Sequence, residues 1–139
     1  MTDNTTTPAP NTPAPNTPAP NTVAWFQIGT DEPAAAQEFY GGLFGWNVVP
    51  DPSSGPGYDL VSYAGGGQPA GGIAHTDGGA ANHATFFVLV EDVAAVCADA
   101  EQLGGKVLEP PVTTPNGLAF AHLLDRSGNR FGVFTPPPA

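Results

Sequence analysis

Basic residues and cysteine are what this chain has least of. Three basic side chains, Lys106, Arg126 and Arg130, stand against 13 acidic ones, for a formal charge of −10. Nucleic acid and anionic membranes are bound by clustered Lys and Arg that neutralise phosphates, so the composition argues against both as partners. An acidic surface keeps a protein soluble and favours a cationic ligand. The single cysteine, Cys97, excludes an internal disulfide. Apolar runs are only a few residues long, far short of the ~20 that a membrane-spanning helix needs. The opening MTDNTTTPAP has neither the positive n-region nor the apolar h-region of a signal peptide. A cytoplasmic location is the expectation.

Proline and glycine are abundant, at 17 and 18 of 139 residues. Six of the prolines fall in the first 20 residues, and residues 8–22 are three tandem copies of Pro-Ala-Pro-Asn-Thr. Alternate prolines fix φ and remove N–H donors, which favours extended polyproline II over a packed core. Residues 1–21 are therefore expected to form a disordered tail, and 22–138 to form one folded domain.

From Val23 the pattern changes. Residues 23–28 read as a strand, followed by Asp31 as a helix N-cap candidate and Pro33 in the first turn. Ala36, Phe39, Tyr40 and Leu43 share one helical face, expected to pack on a sheet, and Gly41, Gly42 and Gly45 are expected to close that helix. Residues 46–49, 58–63 and 70–76 read as strands. The same order then recurs. Residues 84–90 form a strand, Asp92 is an N-cap candidate, and Val93, Val96, Cys97, Ala100 and Leu103 give a helical stripe ended by Gly104 and Gly105. Residues 106–108, 118–124 and 131–135 supply three more strands. Trp25 and Phe86, Asp31 and Asp92, and Gly71 and Gly132 are each 61 residues apart. The expected fold class is α+β: two tandem βαβββ modules, 22–79 and 83–137, forming curved sheets around a shared cavity.

The segments WFQIGTDEPAAAQEFYGGLFGW (25–46) and LLDRSGNRFGVFTP (123–136) resemble the vicinal oxygen chelate superfamily, which includes glyoxalase I, extradiol dioxygenases, and fosfomycin- and bleomycin-resistance proteins. The first resembles the family's strand, Asp and helix ending in FY and FG. The second resembles its closing turn and last strand, with Arg126 where Pro is usual. The resemblance implies a cavity between two units, with metal ligands, in the metal-dependent members, on the first and last strands of each. The matching positions here are Trp25 and Phe86 on the first strands, and Gly132 and Gly71, or Gly72 in the neighbouring register, on the last. None offers a thiolate, imidazole or carboxylate, so no metal and no cofactor are expected. Gly at two of the positions is expected to leave room for a ligand.

Gln27 shares the Trp25 face of its strand and is placed to orient a ligand through its amide. The resemblance points His122 toward a ligand, although a hydrogen-bonded structural histidine fits that position equally. Strand parity relative to Phe86 turns His83 away from the cavity, and His75 is expected near the end of its strand, beside a TDGG loop. Cys97, in its apolar stripe, reads as a small buried hydrophobe. The expected ligand-binding set is Trp25, Gln27, Gly71, Gly72, Phe86, His122 and Gly132, with catalytic residues unassigned. Three functions fit. The favoured one is a metal-independent binder of a small molecule, cationic and aromatic in the simplest case. The alternatives are a lyase, isomerase or dioxygenase of the same superfamily with a non-standard site, and a regulatory or scaffold module tethered by the tail. A homodimer is compatible with each.

Overall fold

Eight segments of alternating side-chain polarity pair into one sheet, and two amphipathic segments form helices. The computed structural model of the chain describes residues 18–53, 57–76 and 81–138. In chain order the elements are β1 (Thr22–Thr30), α1 (Pro33–Phe44), β2 (Asn47–Pro50), β3 (Tyr58–Ser62), β4 (Gly71–His75), β5 (His83–Leu89), α2 (Val93–Gln102), β6 (Lys106–Thr113), β7 (Ala119–Leu124) and β8 (Arg130–Thr135). The fold is α+β, with an eight-stranded sheet in the order β2-β3-β4-β1-β5-β8-β7-β6. The expected tail lies mostly outside the described residues. Its last part is anchored, since the Asn21 N–H donates to the Leu89 carbonyl at 2.6 Å. No helix among the described residues is long and apolar enough to cross a membrane.

The centre of the sheet is an antiparallel seam. β1 runs against β5 with Phe26 opposite Phe86 and Gln27 opposite Thr85. On the outer side of each seam strand lies a parallel neighbour, β4 beside β1 and β8 beside β5. The two outermost strands, β2 and β6, both carry proline, at Pro50 and at Pro110 and Pro111. Proline lacks the N–H that an inner strand must donate, which suits it to an edge. β6 therefore runs through the proline pair to Thr113, past the expected end at Leu108, with register shifts on either side of Glu109.

One face of the sheet is covered by α2. Asp92 caps this helix, its carboxylate accepting from the Ala95 N–H at 3.0 Å. Val93 and Cys97 on its buried stripe pack with Val90, Ala121, Leu123 and Val133 into the main apolar core. The first helix differs from expectation. Its N-cap is Glu32, which makes no side-chain cap bond. Asp31 is engaged elsewhere: its N–H donates to Asn82 Oδ1 at 3.1 Å, and Asn82 Nδ2 donates to Asp31 Oδ1 at 3.2 Å. Gly41 and Gly42 lie within α1, and termination falls to Gly45 at φ 74°, whose N–H closes on the Gly41 carbonyl. None of the α1 residues is fully buried. Tyr40 stacks on Trp46, which also meets Phe44, Phe26 and Tyr63 at tilted angles, whereas Phe39 and Leu43 remain mostly exposed. The expected packing of this helix is thus carried by half of its stripe.

Candidate functional site

The face of the sheet opposite the helices encloses a cavity of about 550 Å³, within the usual range for small-molecule sites. Its wall is largely aromatic. Trp25 and Gln27 come from β1, Tyr58 and Leu60 from β3, Phe87 from β5, Phe120 from β7 and Phe134 from β8. The 114–118 connection and Pro136–Pro137 close one side, and Asp51 and Ser53 stand at another. Asp51 is the one ionisable carboxylate among these lining residues.

Two glycines shape the wall, though by admitting protein rings and not by leaving space. A Cβ on Gly72 would lie 2.2 Å from the Tyr58 ring, and one on Gly132 would lie 2.3 Å from the Phe87 ring. Tyr58 therefore lies across β4 and Phe87 across β8. From there the Tyr58 hydroxyl accepts a hydrogen bond from the Trp25 indole Nε1–H at 2.9 Å. Burial pushes the Tyr58 phenol up to about 12, partly opposed by the Trp25 hydrogen bond and assisted by the Asp51 charge.

The expected site residues divide between the two faces. Trp25 and Gln27 line the cavity, and Gly72 and Gly132 lie beneath its wall. Gly71 faces the helix side, where a Cβ would meet the Phe26 ring at 2.6 Å. Phe86 also departs from expectation: it stacks on Phe131 at 6.1 Å and is 45% exposed, while its neighbour Phe87 takes the cavity position. The cause is a one-residue slip in the overlay of the two halves. In the paired strands Gln27 sits opposite Gly72 as Phe87 sits opposite Gly132. The caps Glu32 and Asp92 correspond likewise, so equivalent residues are 60 apart, not 61. Because side chains alternate, a slip of one moves a residue to the other face. The same slip accounts for His83, which shares the Phe87 face and reaches Gln27.

A polar group adjoins the aromatic wall. His83 Nδ1 lies 3.0 Å from the Ala81 carbonyl, and His83 Nε2 lies 3.1 Å from Gln27 Nε2. His122 is packed against Phe87 and Phe120, whose rings meet it edge-on at 5.2 and 6.0 Å, and is only 5% exposed. Arg130 Nη2 approaches His122 Nδ1 at 3.3 Å, and Glu109 lies 3.8 Å from Nε2. A guanidinium only donates, so Nδ1 accepts and Nε2 carries the proton. Burial, then the Arg130 charge, push the His122 pKa down to about 4, with Glu109 pulling weakly the other way. Arg130 Nε is buried without a hydrogen-bond partner. His75, on the helix side, pairs with Asp59 at 2.8 Å. At the chain's last tight turn the Asp125 carboxylate accepts from the Asn129 and Ser127 N–H groups, and the Asn129 bonds lead in lowering its pKa.

The positions that the sequence resemblance matches to metal ligands are Trp25, Phe86, Gly132 and Gly71 or Gly72, and a spacing of 60 puts Thr85, on the Phe87 face of β5, in the place of Phe86. Their one side-chain oxygen is the Thr85 hydroxyl, which donates to the Arg130 carbonyl at 2.7 Å. Divalent zinc, iron and manganese take imidazole, thiolate or carboxylate, so these side chains do not fit such an ion. Among the described residues, no three His, Cys, Asp or Glu side chains gather where a metal ion could sit.

Of the wall, Tyr58, Leu60, Phe87, Phe134 and the 114–118 connection were not anticipated as site residues. Phe120 had a signal, since it alternates in phase with His122.

A family model described as "Glyoxalase/Bleomycin resistance protein/Dioxygenase superfamily" matches residues 22–133. The anthracycline biosynthesis protein DnrV of Streptomyces peucetius is 30% identical over 128 residues, covering 80% of this chain and 46% of its own. Its counterpart DauV of Streptomyces sp. strain C5 is 31% identical over the same length and coverage. The chain thus spans less than half the length of these relatives. Among solved structures, the Mn(II)-bound glyoxalase from Novosphingobium aromaticivorans superposes with a TM-score of 0.58 at 19% identity, over 83% of this chain and 38% of that one. Methylmalonyl-CoA epimerase from Mycobacterium tuberculosis gives 0.57 at 16% identity, over 84% and 89%. At these identities the likeness is one of fold.

Proposed function

Since the chain belongs to the glyoxalase/bleomycin resistance protein/dioxygenase superfamily, we propose that it is the superfamily's metal-independent kind, a binder of a planar aromatic small molecule. The observation that carries this reading is the cavity wall. Trp25, Tyr58, Phe87, Phe120 and Phe134 converge on one space from four strands and the seam strand β1, while none of the positions matched to metal ligands carries an imidazole, thiolate or carboxylate. Aromatic faces bind flat π-systems by stacking, and a cation beside them gains roughly 0.5–2 kcal/mol. Asp51 supplies a negative charge near that wall, so a cationic aromatic fits best. The names of DnrV and DauV, which place them in anthracycline biosynthesis, agree with a polycyclic aromatic ligand. The strand order supports two tandem βαβββ modules, 22–79 and 83–137, that share the cavity across the β1–β5 seam.

Tryptophan fluorescence tests the reading. With Trp46→Phe to silence the second indole, titration with proflavine, a planar tricyclic cation, is expected to quench Trp25 saturably. Trp25→Ala should weaken proflavine binding measured by calorimetry. Absence of saturable binding, or full affinity in Trp25→Ala, refutes it. Chemical conversion of a bound aromatic that His122→Ala stops without loss of binding would instead make the protein an enzyme.

A further inference from the structure

The two polar groups of the aromatic wall have fixed and opposite hydrogen-bonding sense. The Ala81 carbonyl can only accept, so the His83 Nδ1 that lies 3.0 Å from it carries the proton. A neutral imidazole then has an acceptor at Nε2. Gln27 Nε2, 3.1 Å away, must donate to it, which fixes the amide and leaves Oε1 as an acceptor. Gln27 is a buried polar residue whose side chain lines the cavity, and no described residue donates to this oxygen.

Tyr58 has the complementary sense. An indole N–H only donates, so the Tyr58 hydroxyl accepts from Trp25 at 2.9 Å and keeps its own proton to give. Burial holds that phenol protonated at any ordinary pH, with its pKa at about 12. The hydroxyl also sits beside Gln27. A Cβ on Gly72 would be 2.3 Å from Tyr58 Oη, and Gly72 is the register partner of Gln27 on the adjacent strand. Neighbouring strands are ~4.8 Å apart, so the Tyr58 hydroxyl lies about one strand spacing from the Gln27 backbone on the same face, while His83 draws the amide toward β5.

Resting on the binding reading above, we propose that Gln27 and Tyr58 form a paired clamp that selects planar aromatics bearing a hydroxyl and a carbonyl along one edge. The ligand hydroxyl donates to Gln27 Oε1, and its carbonyl accepts from the Tyr58 hydroxyl. His83 acts through Gln27, as the positioning residue that holds the amide in the accepting sense.

Calorimetry with three tricyclic probes tests this: xanthone, 2-hydroxyxanthone and 2-methoxyxanthone. All three carry the carbonyl, and only the second adds a donor on the same edge. A hydrogen bond of ordinary net strength corresponds to about tenfold in affinity. The hydroxy compound is expected to bind about tenfold tighter than the methoxy compound. Gln27→Leu should erase that preference. Tyr58→Phe should weaken all three by several-fold and preserve it. His83→Phe, which frees the amide to rotate, should reduce the preference while retaining affinity for xanthone itself, an effect that mere loss of fold does not produce. Circular dichroism checks that each variant is folded. Equal affinity of the hydroxy and methoxy compounds for the native protein overturns the clamp and leaves the binding reading standing. Binding of none of the three, in a protein that also fails to bind proflavine, overturns both.

Discussion

Acidification should destabilise this protein through one buried histidine. His122 titrates at about 4 in the fold against an ordinary 6.5, because burial and the Arg130 guanidinium both disfavour its cation. Its folded pKa is the lower one, so the unfolded chain takes up the proton first. The stabilisation from keeping His122 neutral is complete above pH 6.5 and is lost as pH falls toward 4. Linkage over these two values makes the fold weaker at pH 4.5 than at pH 7 by about 2.5 kcal/mol from this residue alone. Urea unfolding at the two pH values reads the loss. Acid acts on the whole protein, so the informative quantity is the comparison with His122→Gln, which keeps a neutral polar side chain and cannot protonate. The variant is expected to be less stable at pH 7, having lost the ring contacts to Phe87 and Phe120. Its further loss at pH 4.5 should be smaller than that of the native protein by about 2.5 kcal/mol. An identical pH dependence in the two proteins would refute the assignment of a suppressed pKa to His122.

Two other outcomes follow from the geometry. Gly132→Ala puts a Cβ 2.3 Å from the Phe87 ring and should cost about 1–3 kcal/mol as an overpacked site, visible as a lower urea midpoint; an unchanged midpoint would mean that the ring has room to move. Asp92→Ala should cost about 1 kcal/mol by removing the side-chain cap of α2, whereas Glu32→Ala, at a cap with no side-chain bond, should stay within about 0.5 kcal/mol.

The order of elements was legible because each rests on local pattern: alternation for the strands, the Asp92 cap and Gly105 around α2, Pro33 at the start of α1. Trp25 and Gln27 were legible because two residues on one strand keep their shared face whatever the strand pairs with. What failed depends on register between distant strands. Phe86 and Phe87 are equally apolar neighbours, and only the pairing of Phe87 with Gly132 decides which enters the cavity. Gly72 and Gly132 were recognised as special, but their role needed the partner rings of Tyr58 and Phe87, which sequence alone does not bring near. Asp31 looked like a cap because Asp precedes Pro33. Its carboxylate goes to Asn82, 51 residues away, a tertiary competitor invisible to local propensity.

The prolines on the two outer strands set a limit on how copies of this protein can associate. A ninth strand joining β2 or β6 would need backbone donors where Pro50, Pro110 and Pro111 have none. The hydrogen-bonded ladder therefore stops at both margins, and the long stacked sheets of fibrils have no clean template from which to grow. In concentrated solution, molecules are left to meet through side chains, where a shared charge of −10 pushes them apart. A chain with a helix stripe half uncovered thus has two independent guards against precipitation, one in the hydrogen bonds that proline cannot give, the other colloidal and written in carboxylates.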